Sequence, residues 1–367
     1  MIGVSEVQKK DLDDFISWPV SLYKDLPLYT PPLMKDIRLQ LSEKNPFFRH
    51  AQSRYYLAKK NNQTIGRIIA TINSRHNMFH HDKTGFFGFF ECINDISAAS
   101  ALFDQAGEYL RAAGMNVMRG PMNFSTNEEC GFLLEGHQTA PMIMTPYNPP
   151  YYNRLAEQYG MHKAKDLYAY RYVIEQQLPE KVLRVASIAE KRNIIVRHIN
   201  KKEFDKEMLV FKAVYNAAWE KNWGFIPLTD EELWYLGERL RPVVNPELIL
   251  VAEHKDQPVG FLGMLPDFNI VLRHMAGRLN PLTMLKGLYY AKKIRDARLL
   301  LFGIKREYRH KGVDALLFKA GFKNLKKVGY TGLEFSWILE DNHAVQRIIE
   351  MIGGTLYRTF RIYEIPL

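Results

Sequence analysis

Cysteine is nearly absent from this chain: two residues in 367, Cys92 and Cys130. Two thiols cannot build a disulfide framework, so the fold has to rest on packing, and a reducing compartment is the expected setting. Long apolar runs are missing as well. No segment approaches the ~20 uncharged apolar residues of a spanning helix, and the N-terminal "MIGVSEVQKKDLDD" lacks the charged-then-apolar layout of a secretion signal. A cytoplasmic location is therefore expected. Metal-site spacing is equally scarce. "SRHNMFHHDKTG" sets His76 and His80 four apart, with His81 and Asp82 following, which suits a metal only on a helix. Gly85 and the preceding strand point to a loop instead, so no metal is expected. Cys130 in "STNEECGFLLEG" has His137 nearby but no strand-to-helix elbow, the setting a catalytic thiol needs.

What the chain does have is positive charge in one place. Its formal net charge is +10, yet between Val271 and Tyr330 there are 15 Lys plus Arg against 3 Asp plus Glu, so this window carries +12 and the rest is close to neutral. Such a local surplus fits a polyanionic small molecule or an anionic membrane surface. A long nucleic acid calls for a broader stripe with stacking aromatics and is not expected. A solvated basic helix face would have the same letters.

Within that window, "LLLFGIKREYRHKGVDALLF" (Leu299 to Phe318) runs apolar, then basic, then apolar at helical spacing after Gly312, through Val313, Leu316, Leu317 and Ala320. The spacing predicts strand, basic turn, helix. Free backbone N–H groups at a helix start, beside Arg309, His310 and Lys311, are suited to phosphate. The chain also repeats itself. "YLAKKNNQTIGRI" matches "LVAEHKDQPVGFL" as hairpins with Gly66 and Gly260. "ALFDQAGEYLRAAGM" matches "LLFKAGFKNLKKVGY", and "RLAEQYG" matches "RIIEMIG", all in the same order. Two α/β domains are expected, 1–178 and 190–367, joined near residues 176 to 192, where "QQLPEKVLRVASIAEKRN" turns polar. "CINDISAAS" stands where the second half has "REYRHKGVD", so the basic turn occurs once and the first half reads as a degenerate copy.

These residues resemble the GCN5-related N-acetyltransferase (GNAT) superfamily in a tandem two-domain form. The resemblance implies an α+β fold in which each domain has a mixed, largely antiparallel sheet flanked by helices. Its signature turn, Arg or Gln, two residues, Gly, one residue, then Gly or Ala, is matched by Arg309, His310, Lys311 and Gly312, with Val313 next and Asp314 in the last small position. The resemblance implies coenzyme A as cosubstrate. The backbone from Arg309 to Val313 would grip the pyrophosphate, and the strand groups of Phe302, Gly303 and Ile304 would pair with the pantetheine arm. The helix opened by Asn342 after "LEFSWIL" is the family's next element, and Asn342 is carried into the cofactor set. Ile349 occupies the position where the family usually has a Tyr that protonates the departing thiolate, so Tyr308, Tyr357 and Tyr363 are the candidate replacements.

On the acceptor side, "VYNAAWEKNWGFIPLTDEELWYL" falls where the family's first two helices wall the acceptor, and Trp219, Trp223 and Phe225 are candidate substrate contacts, or else core. In the inserted "LPDFNIVLRH", Asp267, Asn269 and His274 offer a proton acceptor and hydrogen bonds, although a turn explains the same letters. Glu334 alternates with Leu333 and Phe335 and is a candidate base. The alternating "MLKGLYYAKKIRDARLLL" suits a membrane surface or an acyl tail. The chain is similar in this to bacterial sphingolipid N-acyltransferases, tandem proteins of this kind. The expected activity is direct acyl transfer from acyl-CoA to an amine, small molecule or lipid, with peripheral membrane contact through 271–300. A non-catalytic acyl-CoA or membrane-surface binder and an aminoacyl-tRNA-dependent transferase are the alternatives.

Overall fold

The structure, a computed structural model, describes residues 1–174 and 177–367. It divides into two compact units. The first comprises Met1–Leu167, Val271–Leu288 and Arg358–Leu367; the second comprises Tyr168–Ile270 and Tyr289–Tyr357. The expected division was into contiguous halves; here the segments 271–288 and 358–367 group with the first.

In the first unit, β1 (Ile2–Glu6) leads to α1 (Leu12–Leu22) and α2 (Met34–Gln40), the hairpin β2 (Ala51–Lys60) and β3 (Gln63–Asn73), and a short α3 (Ser74–His80). There follow β4 (Thr84–Cys92), α4 (Ile96–Ala112), β5 (Val117–Gly120), β6 (Phe132–Glu135), α5 (Tyr151–Gln158) and β7 (His162–Val173), whose residues 168–173 belong to the second unit. Strands β1 to β4 pair in sequence, antiparallel, and β4 meets β5 in parallel over Thr84–Phe86 only. The far edge of β5 is taken by residues 363–366 from the end of the chain. Helix α4 buries Ala98, Ala99, Leu102, Phe103, Ala106 and Leu110 against this sheet. Gly66 recurs in the hairpin because a Cβ there would lie 2.7 Å from the Leu102 side chain.

The segment expected to be a loop is helix α3. The Asn73 side chain accepts the His76 amide at 3.1 Å, and His81, at φ 55°, closes the helix in the left-handed conformation. This Asx cap outweighs the turn signals that follow it. His76 and His80 stack at 4.4 Å between ring centroids. No group of three or more His, Cys, Asp or Glu among the described residues is placed to hold a metal.

In the second unit the order is α6 (Glu180–Lys191), β8 (Ile194–His198), α7 (Phe204–Trp219), α8 (Asp230–Leu240), and the hairpin β9 (Ile249–His254) and β10 (Gln257–Pro266). After the insertion α9 (Asn269–Met275) and α10 (Pro281–Ala291) come β11 (Asp296–Ile304), α11 (Val313–Val328), β12 (Gly332–Leu339), α12 (His343–Met351) and β13 (Thr355–Pro366), which passes into the first unit at Arg358. The sheet order is β7-β12-β11-β10-β9-β8. One face of it, including Ala297, Leu299, Leu333 and Phe335, packs with Val313, Leu317, Phe318 and Phe322 of α11 in a single core. Much of the expected polar joint is in fact α6, which buries Val182, Ala186 and Ala189 in that core. An apolar stripe at helical spacing overrides the charged letters between them. Gln176, the first residue of the expected joint, lies outside the described residues.

Candidate active site

Strands β11 and β12 pair in parallel from Asp296↔Gly332 to Leu299↔Phe335 and no further. Beyond Leu299, β11 keeps only β10 as a neighbour, through Gly260↔Ile304, Phe261↔Gly303 and Leu262↔Phe302. Lys305 gives its amide to Val259 of β10 at 2.9 Å, so by strand alternation the backbone groups of Phe302 and Ile304 point away from β10. They lie on an open edge that runs over the five residues Leu300 to Ile304, about 17 Å at a ~3.3 Å rise per residue. Two side chains lie on it. The Trp219 indole donates to the Phe302 carbonyl at 2.9 Å, and Arg309 reaches the Ile304 carbonyl with Nε at 3.4 Å while its Nη2 donates to Ala218 at 2.8 Å.

At the far end of this edge the chain turns through Arg306–Tyr308 into α11. His310 (φ 63°) and Gly312 (φ 83°) are both left-handed. Glycine is required at 312, since a Cβ would sit 2.6 Å from the Val185 carbonyl oxygen of α6. No side chain caps the start of α11, which leaves the first-turn amides of Val313, Asp314 and Ala315 as donors without an intrahelical acceptor. Arg309 and His310 are exposed beside them, and the Lys311 ammonium lies 4.6 Å from the centre of the Tyr308 ring. Tyr308 itself meets His254 Nδ1 at 2.9 Å. The first unit differs at the corresponding helix: Asp95 caps α4, its carboxylate accepting the Ser97 amide at 2.9 Å. That helix start supplies its own anion.

At the near end, where the two strands part, a charged cluster is buried. Glu334 has no solvent exposure and its cross-strand neighbour Arg298 has 1%. Arg298 Nε donates to Ser336 Oγ at 2.7 Å, Ser336 Oγ donates to Glu334 Oε1 at 2.5 Å, and Arg298 Nε lies 3.5 Å from the same carboxylate oxygen. The half-buried Tyr357 donates its hydroxyl to Glu334 Oε2. The Arg298 guanidinium stacks 4.9 Å from the Trp337 ring centre. A buried carboxylate is tolerable here because Ser336, Arg298 and Tyr357 all face it as donors.

The remaining sequence candidates are distributed around this core. Asp267 and Asn269 are buried just after β10: the Asp267 amide bonds to Asp296 at 2.9 Å, and Asp267 Oδ1 accepts the Asn269 amide at 3.3 Å, opening α9. Asn342 caps α12 by accepting the Val345 amide at 3.4 Å. Phe225 is buried against Tyr215, with ring centroids 5.4 Å apart, and Trp223 is half-buried in the loop before α8. His274 lies in the part of α9 grouped with the first unit, and Tyr363 is also there, bonded to Asn153 and Glu157. Ile349 is 1% exposed and belongs to the core.

Sequence reasoning did not single out Arg298 or Ser336. The available signal was polar residues at alternate positions, Glu334 and Ser336, in an apolar strand. It also missed a polar cluster in the first unit. Glu91 accepts from Tyr23 and from Tyr152 (2.7 Å), with Arg67 at 3.6 Å, and burial pushes its carboxyl above the usual range. Burial likewise pushes the neighbouring Cys92 thiol up to about 12, so it is a packing residue rather than a nucleophile.

Comparison with known proteins agrees with this architecture. No family profile matches the chain. Among solved structures, a tandem GNAT protein from the clavulanic acid biosynthesis pathway superposes with a TM-score of 0.60 at 11% identity, over 100% of this chain and 98% of that one. A GCN5-related N-acetyltransferase from Sphaerobacter thermophilus gives 0.55 at 12% identity, over 100% and 95%. The fold is thus a tandem GNAT fold, the class that the parted strands and the uncapped helix define. Among curated proteins, the chain is 34% identical to protein YghO of Escherichia coli (strain K12) over 364 residues, 98% of this chain and 93% of that one. It is 32% identical to the bacterial ceramide synthase of Caulobacter vibrioides over 362 residues, 96% and 94%. The chain belongs to the family of these two proteins.

Proposed function

We propose that this protein transfers an acyl group from acyl-CoA directly to the amine of a lipid-like acceptor, in the cytoplasm at a membrane surface. The observation that carries the reading is the pairing of two features along one strand edge. An uncapped helix start with flanking cations stands at one end, and a buried carboxylate linked to a tyrosine stands at the other. The amides of Val313, Asp314 and Ala315, with Arg309, His310 and Lys311, would hold the pyrophosphate. The open edge at Phe302 and Ile304 would pair with the pantetheine arm once Trp219 and Arg309 release those carbonyls, bringing the thioester toward Arg298 and Glu334. The acceptor nitrogen then attacks the thioester carbonyl and its proton passes through Tyr357 to Glu334; the C–S bond breaks, and the same proton, returned through Tyr357, leaves coenzyme A as the thiol. No acyl-enzyme is required.

In this reading the first unit is a support that binds no coenzyme A, because Asp95 occupies its helix start. The name of the Caulobacter relative, a ceramide synthase, favours an amine on a long-chain lipid. Helix α10 favours a membrane surface: Leu282, Leu285 and Leu288 are 73, 65 and 66% exposed, with Arg278, Lys286, Lys292 and Lys293 around them. No helix among the described residues is long and apolar enough to cross a membrane. The test is release of free coenzyme A thiol from acetyl to palmitoyl donors, against amino acids, simple amines and sphingoid bases. Amine-dependent release is expected; donor binding without release from any pair would refute acyl transfer.

A further inference from the structure

Beneath α7 and α8 the second unit holds an apolar pocket of about 550 Å³, counting its open mouth, with walls from both helices and from β9, β10 and β11. Glu207 is the one ionisable group in its wall, and that charge is met by Arg197 at 2.7 Å and the Asn200 amide at 3.0 Å. The other lining residues used below are Met208, Gly237, Leu265, Leu300 and Leu301.

The position of this pocket is informative. Leu265 is the cross-strand partner of Arg298, and Phe261, Gly263 and Leu265 of the pocket wall are alternate residues of β10. Cross-strand partners and alternate residues share a sheet face, so the pocket opens on the same face as Arg298, Glu334 and Ser336. Leu300 and Leu301 are also the first residues of β11 past its last pairing with β12. A thioester brought along the open edge of β11 therefore arrives beside the pocket rim, and a chain extending beyond its carbonyl passes Leu300 directly into an apolar volume.

We infer that this pocket is the subsite for the alkyl chain of the acyl donor, which makes the enzyme selective for medium to long acyl thioesters and lets pocket depth set the preferred length. The inference rests on the acyl-CoA reading above. It commits to the donor's chain because Leu300 and Leu301 of its wall belong to the donor strand, just past its last pairing with β12. The occupant is uncharged, as the lining requires: each methylene taken up contributes ~0.8 kcal/mol, about a fourfold gain in affinity, whereas a charged group there would have only Glu207, already engaged by Arg197.

Gly237 is the point at which to alter the depth. It lies inside α8, and a Cβ there would stand 3.2 Å from Met208 Cε and 3.3 Å from Phe204 Cε1. Leucine suits a helix interior better than glycine, so Gly237→Leu narrows the pocket without loss of helix propensity, and Met208→Ala widens it. The experiment measures kcat/KM of the full-length protein for straight-chain acyl-CoAs from acetyl to stearoyl, and in parallel the Kd of palmitoyl-CoA against free CoA. The palmitoyl-to-acetyl ratio is expected to fall at least tenfold in Gly237→Leu, and the optimum chain length to increase in Met208→Ala. Unchanged ratios in both variants, with unfolding midpoints near that of the parent, would overturn the inference. A shift in preference along the acceptor's chain instead would also overturn it. If the parent turns over no thioester at all, the acyl-transfer reading fails by itself. The ratio of palmitoyl-CoA to CoA binding across the three proteins then still decides the pocket.

Discussion

Replacing Tyr357 with phenylalanine separates the catalytic reading of the Glu334 cluster from a structural one. The change deletes a single hydroxyl, the one donated to Glu334 Oε2. Ser336 at 2.5 Å and Arg298 at 3.5 Å remain on the other carboxylate oxygen, so the buried charge keeps its counter-ion. The structural cost is one hydrogen bond to an ionised acceptor, about 1.5–3 kcal/mol, well short of the ~3–5 kcal/mol expected when a buried pair is broken outright. The fold should survive with a modestly lowered denaturation midpoint. If the phenol relays the amine proton, losing it removes general acid–base assistance, and the turnover number should fall ~10²- to 10⁴-fold with little change in the Kd for coenzyme A. The assay is amine-dependent thiol release, with urea denaturation and calorimetric CoA titration on the same preparation. Turnover within about threefold of the parent, in a variant that has lost the expected stability, would show that Glu334, Ser336 and Arg298 only hold two strands together.

Other consequences can be checked independently. Gly312→Asp puts a Cβ 2.6 Å from the Val185 carbonyl oxygen and a carboxylate at the start of α11; CoA binding should drop beyond measurement by calorimetry, whereas Lys311→Ala should weaken it only by about 1 kcal/mol, in a salt-dependent way. His76 is held neutral: burial first, then His80 and Arg119, lower its pKa to about 4, against the pull of Asp82. Between pH 6.5 and 4 the unfolded chain therefore binds the extra proton, and stability should decline by about 3 kcal/mol as pH falls through that window. Urea midpoints at pH 7 and 5 should show this slope in the parent and a flatter one in His76→Phe. Finally, replacing Leu282, Leu285 and Leu288 by Ser should abolish co-sedimentation with vesicles containing anionic lipid, while thiol release with a water-soluble amine, if any is accepted, is retained.

The strand, basic turn and helix at 299–318 were legible because their signals are local: an apolar run, a cluster of cations, and apolar residues at helical spacing after a glycine. Gly66 and Gly260 marked equivalent places for a concrete reason. Each lets a helix side chain approach the sheet, Leu102 at 2.7 Å in one unit and Val313 at 3.0 Å in the other. Helices α3 and α6 were not legible. Polar and turn-forming letters outweigh a single Asn cap in the first, and an apolar stripe of three positions hides among charges in the second. The cluster around Glu334 was half legible. Glu334 itself stood out by alternation, but Arg298 reads as one more cation in "KKIRDARLLL" until β11 and β12 are laid side by side. The tyrosine that reaches Glu334 comes from the strand after Ile349, and sequence order alone left three tyrosines open.

The pairing of β5 with residues 363–366 has a consequence for biosynthesis. The sheet of the first unit lacks a strand until residues 363–366 have been synthesised, and until then β5 presents an unpaired edge, the kind of edge that recruits other strands. A fragment ending near residue 178 would therefore be expected to aggregate. A tag joined directly to residues 363–366 would be attached to a strand that the first unit needs in order to close.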